Sequence, residues 1–119
     1  MDKLMPHFCE IIRAKIYFPR QRKYVPLEEI IMLEGVVNYT ILHLRSGRKM
    51  LIPRTLKLFE IILGNYDFLR THRGFMINCG HLQSVDSEGI TMILTDNLHA
   101  SISRRRRDDV NKKLLGVRF

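Results

Sequence analysis

A chain of 119 residues suits one domain, and its 45% apolar content excludes a disordered polymer. No apolar run approaches the ~20 residues of a membrane span, and the first residues, charged at Asp2, Lys3 and Glu10, make no signal peptide; a cytoplasmic location is the expectation. Twenty basic against twelve acidic residues give a net charge of +8, which favours an anionic partner such as nucleic acid, a membrane surface or an acidic protein.

Residues 1–10 carry little periodicity and read as a leader, with a single domain over 11–119. Residues 12–18 alternate: Ile12, Ala14, Ile16 and Phe18 on one side, Arg13, Lys15 and Tyr17 on the other, the pattern of a half-buried strand. Pro19-Arg20-Gln21-Arg22 breaks it, and 23–27 can pair back as a short strand that Pro26 limits to an edge or its end. Glu28-Glu29 opens a turn into a continuous apolar strand over 30–34, and Gly35 predicts a loop or bulge. Tyr39, Ile41, His43 and Arg45 alternate with Thr40, Leu42 and Leu44; Ser46-Gly47 then predicts a hairpin turn and 48–53 the return strand.

Over 55–63 the period changes. Leu56, Phe59, Ile62 and Leu63 fall at helical spacing with Lys57 and Glu60 outward, and Gly64-Asn65 predicts a left-handed C-cap. Strands follow at 81–86 and 90–95, separated by a Ser87-Glu88-Gly89 turn. Asp96-Asn97 suits a turn with positive φ at both positions, and 98–103 places Leu98, Ala100 and Ile102 inward. Residues 104–115 can form a terminal helix with Ser103 as N-cap and Val110 and Leu114 as a short apolar stripe. Four arginines at its start oppose the helix dipole, and such local conflicts often mark a binding site. The sum is a small, mainly antiparallel β-fold with one mid-chain helix and one C-terminal helix.

Cys9 and Cys79 are too few for a disulfide scaffold. His7-Phe8-Cys9 and Cys79-Gly80-His81 mirror each other, but their one-residue spacing is shorter than zinc sites use, so free, partly buried thiols are expected. No cofactor is expected. A Gly-rich phosphate loop, an HExxH pair and carboxylates flanking a nucleophile are all missing from the sequence, which points away from an enzyme.

The most informative stretch is 68–78, Phe-Leu-Arg-Thr-His-Arg-Gly-Phe-Met-Ile-Asn. Apolar flanks can anchor such a turn in a core while Arg70, His72 and Arg73 face a partner. Together with Leu27-Glu28-Glu29-Ile30-Ile31 running to Glu34, Asn38-Tyr39, Thr55-Leu56-Lys57 and Ile102-Ser103-Arg104-Arg105, this stretch resembles the LytTR family, the DNA-binding output domain of many bacterial response regulators. The likeness covers roughly 23–115, with 12–18 as the family's leading strand. It implies an elongated, antiparallel β-sandwich-like fold of about ten short strands. It also implies DNA binding through interstrand loops in successive major grooves, in place of a recognition helix.

By position, the resemblance implies three DNA-facing loops: Asn38 with Tyr39, His72 with Arg73, and Ser103 with Arg104 and its neighbours. Arg73 is the best candidate for guanine, whose O6 and N7 an arginine meets bidentately. His72 either donates to a base or phosphate or packs beneath the loop. Arg70 is expected to pair with a carboxylate, and Asn78 to form a cap or turn. Arg104 and Arg105 are expected on bases or phosphates; Arg106 and Arg107 are read as phosphate contacts or a solvated face. Lys49, with Arg45 and Arg48, flanks a hairpin that can follow the DNA backbone. Family members usually follow a receiver domain or membrane segment; neither is present in this sequence, so phosphorylation control is not implied, and a partner protein or expression level are the open routes of regulation. Gly74 stands where serine is commoner in the family, and 104–107 is more basic than usual.

Two other classes compete. An RNA-binding module should display several aromatics for stacking, but there is no Trp and the aromatics sit in apolar strand patterns. A membrane or acidic-protein tether lacks an amphipathic helix with a large apolar face near a terminus. Sequence-specific duplex DNA binding, with two copies on adjacent half-sites, is the expectation that remains.

Overall fold

The alternation becomes eleven strands in three antiparallel sheets, in a computed structural model that describes residues 10–12 and 14–118. The leader up to Cys9 lies outside the described residues, and so does the His7–Cys9 half of the mirrored pairs.

The first sheet has the order β1 (Glu10–Ile12), β2 (Lys15–Phe18), β3 (Lys23–Pro26). The single strand expected over 12–18 is in fact a hairpin: Ile12 pairs with Lys15, and Ala14 turns the chain at φ +63°. Alternation continued across the turn by coincidence, so periodicity alone gave no sign of it. Glu10, assigned to the leader, pairs with Tyr17. Pro26 ends β3 at the sheet edge, where its missing N–H costs no ladder bond.

The central sheet has the order β6-β5-β4-β8-β7. Its strands are β4 (Ile30–Val36), β5 (Tyr39–Leu44), β6 (Lys49–Ile52), β7 (Phe68–His72) and β8 (Phe75–Asn78). The bulge expected at Gly35 lies instead between Ile30 and Met32. Gly35 stays in β4, where its N–H donates to Gly74 O at 2.9 Å, and a side chain there would point at Leu56. The third sheet is β11-β10-β9, from β9 (Leu82–Val85), β10 (Thr91–Leu94) and β11 (His99–Ser101). Ser46-Gly47 and Asp96-Asn97 form the turns their sequences predict, with φ between +59° and +75° at all four residues. The two turns meet where Ser46 N–H donates to Asp96 Oδ2 at 2.8 Å.

Both faces of the central sheet are covered, so it carries two cores. On one face Leu33, Leu42, Leu44, Ile52 and Met76 pack with Ile16, Phe18 and Val25 of the first sheet. The same face receives Leu56, Phe59, Ile62 and Leu63 of α1 (Leu56–Leu63). On the other face Met32 and Ile77 pack against Met92, Leu94, Ala100 and Ile102. Val110 of α2 (Arg107–Arg118) closes that second core. Burial of a Leu, Ile or Phe side chain contributes about 1.5–3 kcal/mol each, which makes these two clusters the main stabilising term.

The helix ends differ from expectation. Gly64 is right-handed at φ −59°, not a left-handed cap; the reversal comes at Asp67, φ +65°, after Tyr66 N–H closes a turn onto Leu63 O. Glycine is still required at 64, because a Cβ would sit 2.9 Å from Glu60 O. Ser103 makes no side-chain cap. Arg104–Arg106 form a separate 3-10 turn, and α2 proper starts at Arg107 with Asp108 and Asp109 in its first turn. The α-helical dipole therefore meets carboxylates, and the arginine run is largely displaced ahead of it.

Asn78 and His81 tie the layers together. Buried Asn78 donates from Nδ2 to Leu27 O and Ile30 O at 3.2 and 3.0 Å and accepts Gly80 N–H at 3.0 Å. His81 is buried with Nδ1 on Thr95 Oγ1 and Nε2 on Glu28 O. Burial, helped by the Asp67 carboxylate, pushes the Cys79 thiol up to about 11. A raised thiol pKa favours the fold below the ordinary value near 9, and that contribution fades as pH climbs through 11. Alkylation of Cys79 at pH 8, followed by peptide mass mapping, should run about a hundredfold slower than for an unperturbed thiol.

Candidate nucleic-acid interface

The hairpin between β7 and β8 is built around an irregularity. Pairing shifts between Arg70 and His72, leaving Thr71 as an extra residue. Thr71 is fully buried, donates Oγ1 to Ser101 O at 2.9 Å and accepts Ser103 N–H at 2.8 Å. The bulge thus ties the central sheet to the end of β11. It also fixes the hairpin tip beside residues some 30 positions later in the chain.

Arg70 stiffens the tip from below. Its guanidinium donates Nε to His72 O at 2.9 Å, Nη2 to Arg73 O and Nη1 to Glu60 Oε1 at 2.8 Å. The expected carboxylate partner is therefore Glu60 of α1, which also lies 3.7 Å from Arg106 Nη1. One planar cation holds two loop carbonyls and a helix carboxylate, a task suited to a rigid fork of donors. His72 accepts Gly74 N–H on Nδ1 at 2.9 Å, so the neutral ring carries its proton on Nε2. The ring also packs against Phe75 at a centroid distance of 5.7 Å. It serves the loop while lining the open surface above it.

Two depressions meet at Arg73. One is lined by His72, Arg73, Ser103, Arg105, Arg106 and Asp109. The other is lined by Arg73 and Gly74 with Gly35, Val37, Thr55 and Lys57. The hairpin tip, the segment at 103–106, the β4–β5 turn and the start of α1 thus share one side of the molecule. Asn38 and Tyr39 are exposed on that turn. Among the described residues Arg48, Arg70 and Arg106 have ion pairs, whereas Arg73, Arg104 and Arg105 have none. The unpaired guanidiniums are free to meet an anion.

Two expected contacts stand apart. Lys49 pairs with His43, four residues along β5 from Tyr39, roughly 14 Å at strand rise. It sits near the Ser46 turn, where Arg48 pairs with Glu29. Arg107 is half-buried, its Nε shielded without a hydrogen-bond partner, and its charge helps lower the Asp86 carboxyl, which is held down first by the Ile90 N–H. Lys57, Glu60 and Val37 were not expected at the site. Val37 is 90% exposed and left-handed at φ +54°, a conformation that costs a β-branched residue about 1–2 kcal/mol.

No helix among the described residues is long and apolar enough to cross a membrane. A search of curated proteins finds no match. Among solved structures, the chain is similar to the LytTr DNA-binding domain of a protein from Bacillus cereus described as a methyl-accepting/DNA response regulator. The TM-score is 0.67 at 20% identity, over 91% of this chain and 94% of that one, a likeness that establishes the fold. The family model of the LytTr DNA-binding domain matches residues 20–115, most of the chain. With hairpin, bulge and arginine turn assembled on that fold, the chain belongs to the LytTR family, a family of DNA-binding domains associated with transcription regulation.

Proposed function

We propose that this domain recognises specific sequences in duplex DNA and regulates transcription by reading major-groove edges with turns between strands. The observation that carries this reading is the position of Arg73: an unpaired guanidinium where the two depressions meet, on a loop whose carbonyls Arg70 already holds. Arg73 takes a guanine. His72, Asn38 and Tyr39 flank it, and Ser103, Arg104 and Arg105 contact the next stretch of duplex. Lys57 and Arg106 neutralise phosphates near the tip, and Lys49 touches the backbone from further along β5. Arg107, half-buried beside Asp86, acts chiefly by its charge. The longest dimension of the molecule, 41 Å, is a little over one helical turn of DNA. Two copies lying lengthwise along one face therefore need half-sites about two turns apart, since a single turn is shorter than the molecule. A regulatory partner protein would act through a surface other than this one.

Selection from random duplex DNA tests the reading. A defined site should emerge, and its affinity should fall about 10³- to 10⁵-fold between 50 and 200 mM salt, as for ~6–10 neutralised phosphates. Single-stranded RNA should compete poorly. Enrichment of no duplex sequence, or tighter binding to RNA, defeats the proposal.

A further inference from the structure

We infer that Val37 is a specificity-determining residue that reads the C5-methyl group of a thymine, an inference that rests on the duplex-DNA reading above. Three observations carry it. Val37 is the most exposed large apolar side chain among the described residues. It holds a left-handed backbone at φ +54° in the two-residue turn between Val36 and Tyr39. And it lines the same depression as Arg73 and Gly74.

Positive φ in a hairpin turn suits Gly, Asn or Asp, and a β-branched residue is the costly choice. The isopropyl group is almost wholly exposed, so the fold gains little from it to offset that cost. What it gains must lie with a partner. A lone valine is a poor anchor for a protein interface, where Trp, Tyr and Arg dominate and Val is under-represented. Base edges in a major groove offer a better match: thymine's methyl is the apolar feature there, and small apolar side chains meet it. With Arg73 beside it on guanine, Val37 would read a thymine close to that guanine.

The test uses the selected duplex with each thymine in turn replaced by deoxyuridine, which removes only the methyl. At one position near the Arg73 guanine, wild type should lose about fourfold in affinity, the worth of one buried methyl-sized group. Val37→Gly and Val37→Asn should lose about the same on the thymine duplex and be indifferent to deoxyuridine at that position. Both residues accept the left-handed backbone, so the thermal midpoint of each variant should be unchanged or higher. Wild-type affinity in both variants overturns the inference. So does an equal loss on thymine and deoxyuridine duplexes, which would place Val37 against sugar, phosphate or a second copy. If wild type selects a duplex but no thymine proves methyl-sensitive, only this inference falls. If wild type selects none, the DNA reading falls with it.

Discussion

Arg73→Ala should reduce the preference for the selected site over random duplex by about 5- to 150-fold, the span of ~1–3 kcal/mol for a bidentate arginine–guanine pair. The fold should tolerate the change. The Arg73 side chain is exposed and without an ion pair, and what the structure uses is its backbone carbonyl, held by Arg70. Exposed positions of this kind usually shift stability by no more than about 0.5 kcal/mol. Lys49→Ala is the contrast. A lysine on phosphate carries no sequence information, so both affinities should fall together and the salt slope should drop by about one. Anisotropy titrations of both variants on specific and random duplexes, at two salt concentrations, separate the roles. Equal losses on both duplexes for Arg73→Ala would reduce it to another phosphate contact.

What made the exposed position of Arg73 legible was local: a basic cluster between apolar flanks, on a tip short enough to count. The hairpins at Ser46-Gly47 and Asp96-Asn97 were legible for the same reason, since positive φ demands particular residues. The apolar faces of α1, β5 and β6 follow from period alone. Local signals also misled. Ala14 turns the chain with no Gly or Asn to mark it, so the alternating run over 12–18 carries the pattern of one strand where the fold has a hairpin. A strand over 30–34 with a loop or bulge at Gly35 is what the sequence suggests, yet β4 runs on to Val36, and Val37-Asn38 makes the turn before β5 starts at Tyr39.

The parts no local signal could give are those made across the chain. Thr71 looks like a strand residue between two functional ones. Its role depends on Ser101 and Ser103, which only tertiary packing brings within hydrogen-bond distance. Glu60 reads as an outward helix position and is one, at 39% side-chain exposure; nothing in its spacing shows that β7 brings Arg70 alongside. A helix-dipole conflict at 104–107 was visible, but its resolution was not: the run splits into a 3-10 turn that faces the site and an Arg107 turned toward Asp86.

Arg70→Ala should cost more than any exposed arginine, about 2–3 kcal/mol, or roughly 10 °C in thermal midpoint for a chain of this size. Only 11% of the side chain is exposed, and three hydrogen bonds depend on it. Its loss strands the His72 and Arg73 carbonyls. Glu60 would keep only the longer contact to Arg106, though water reaches it and limits that part of the penalty. Specificity should fall along with stability, because the backbone that aims Arg73 is no longer fixed. Arg70→Lys separates those effects: it keeps the charge and most of the packing, but a single ammonium cannot span two carbonyls and a carboxylate in one plane. It should recover more than half of the lost stability, while site preference stays well below wild type. Glu60→Gln should do the reverse, retaining the Arg70 bonds to the loop and most of the preference. An Arg70→Lys variant as selective as wild type would mean that the tip is held by the Thr71 bulge alone, and that the guanidinium fork merely fills space beneath it.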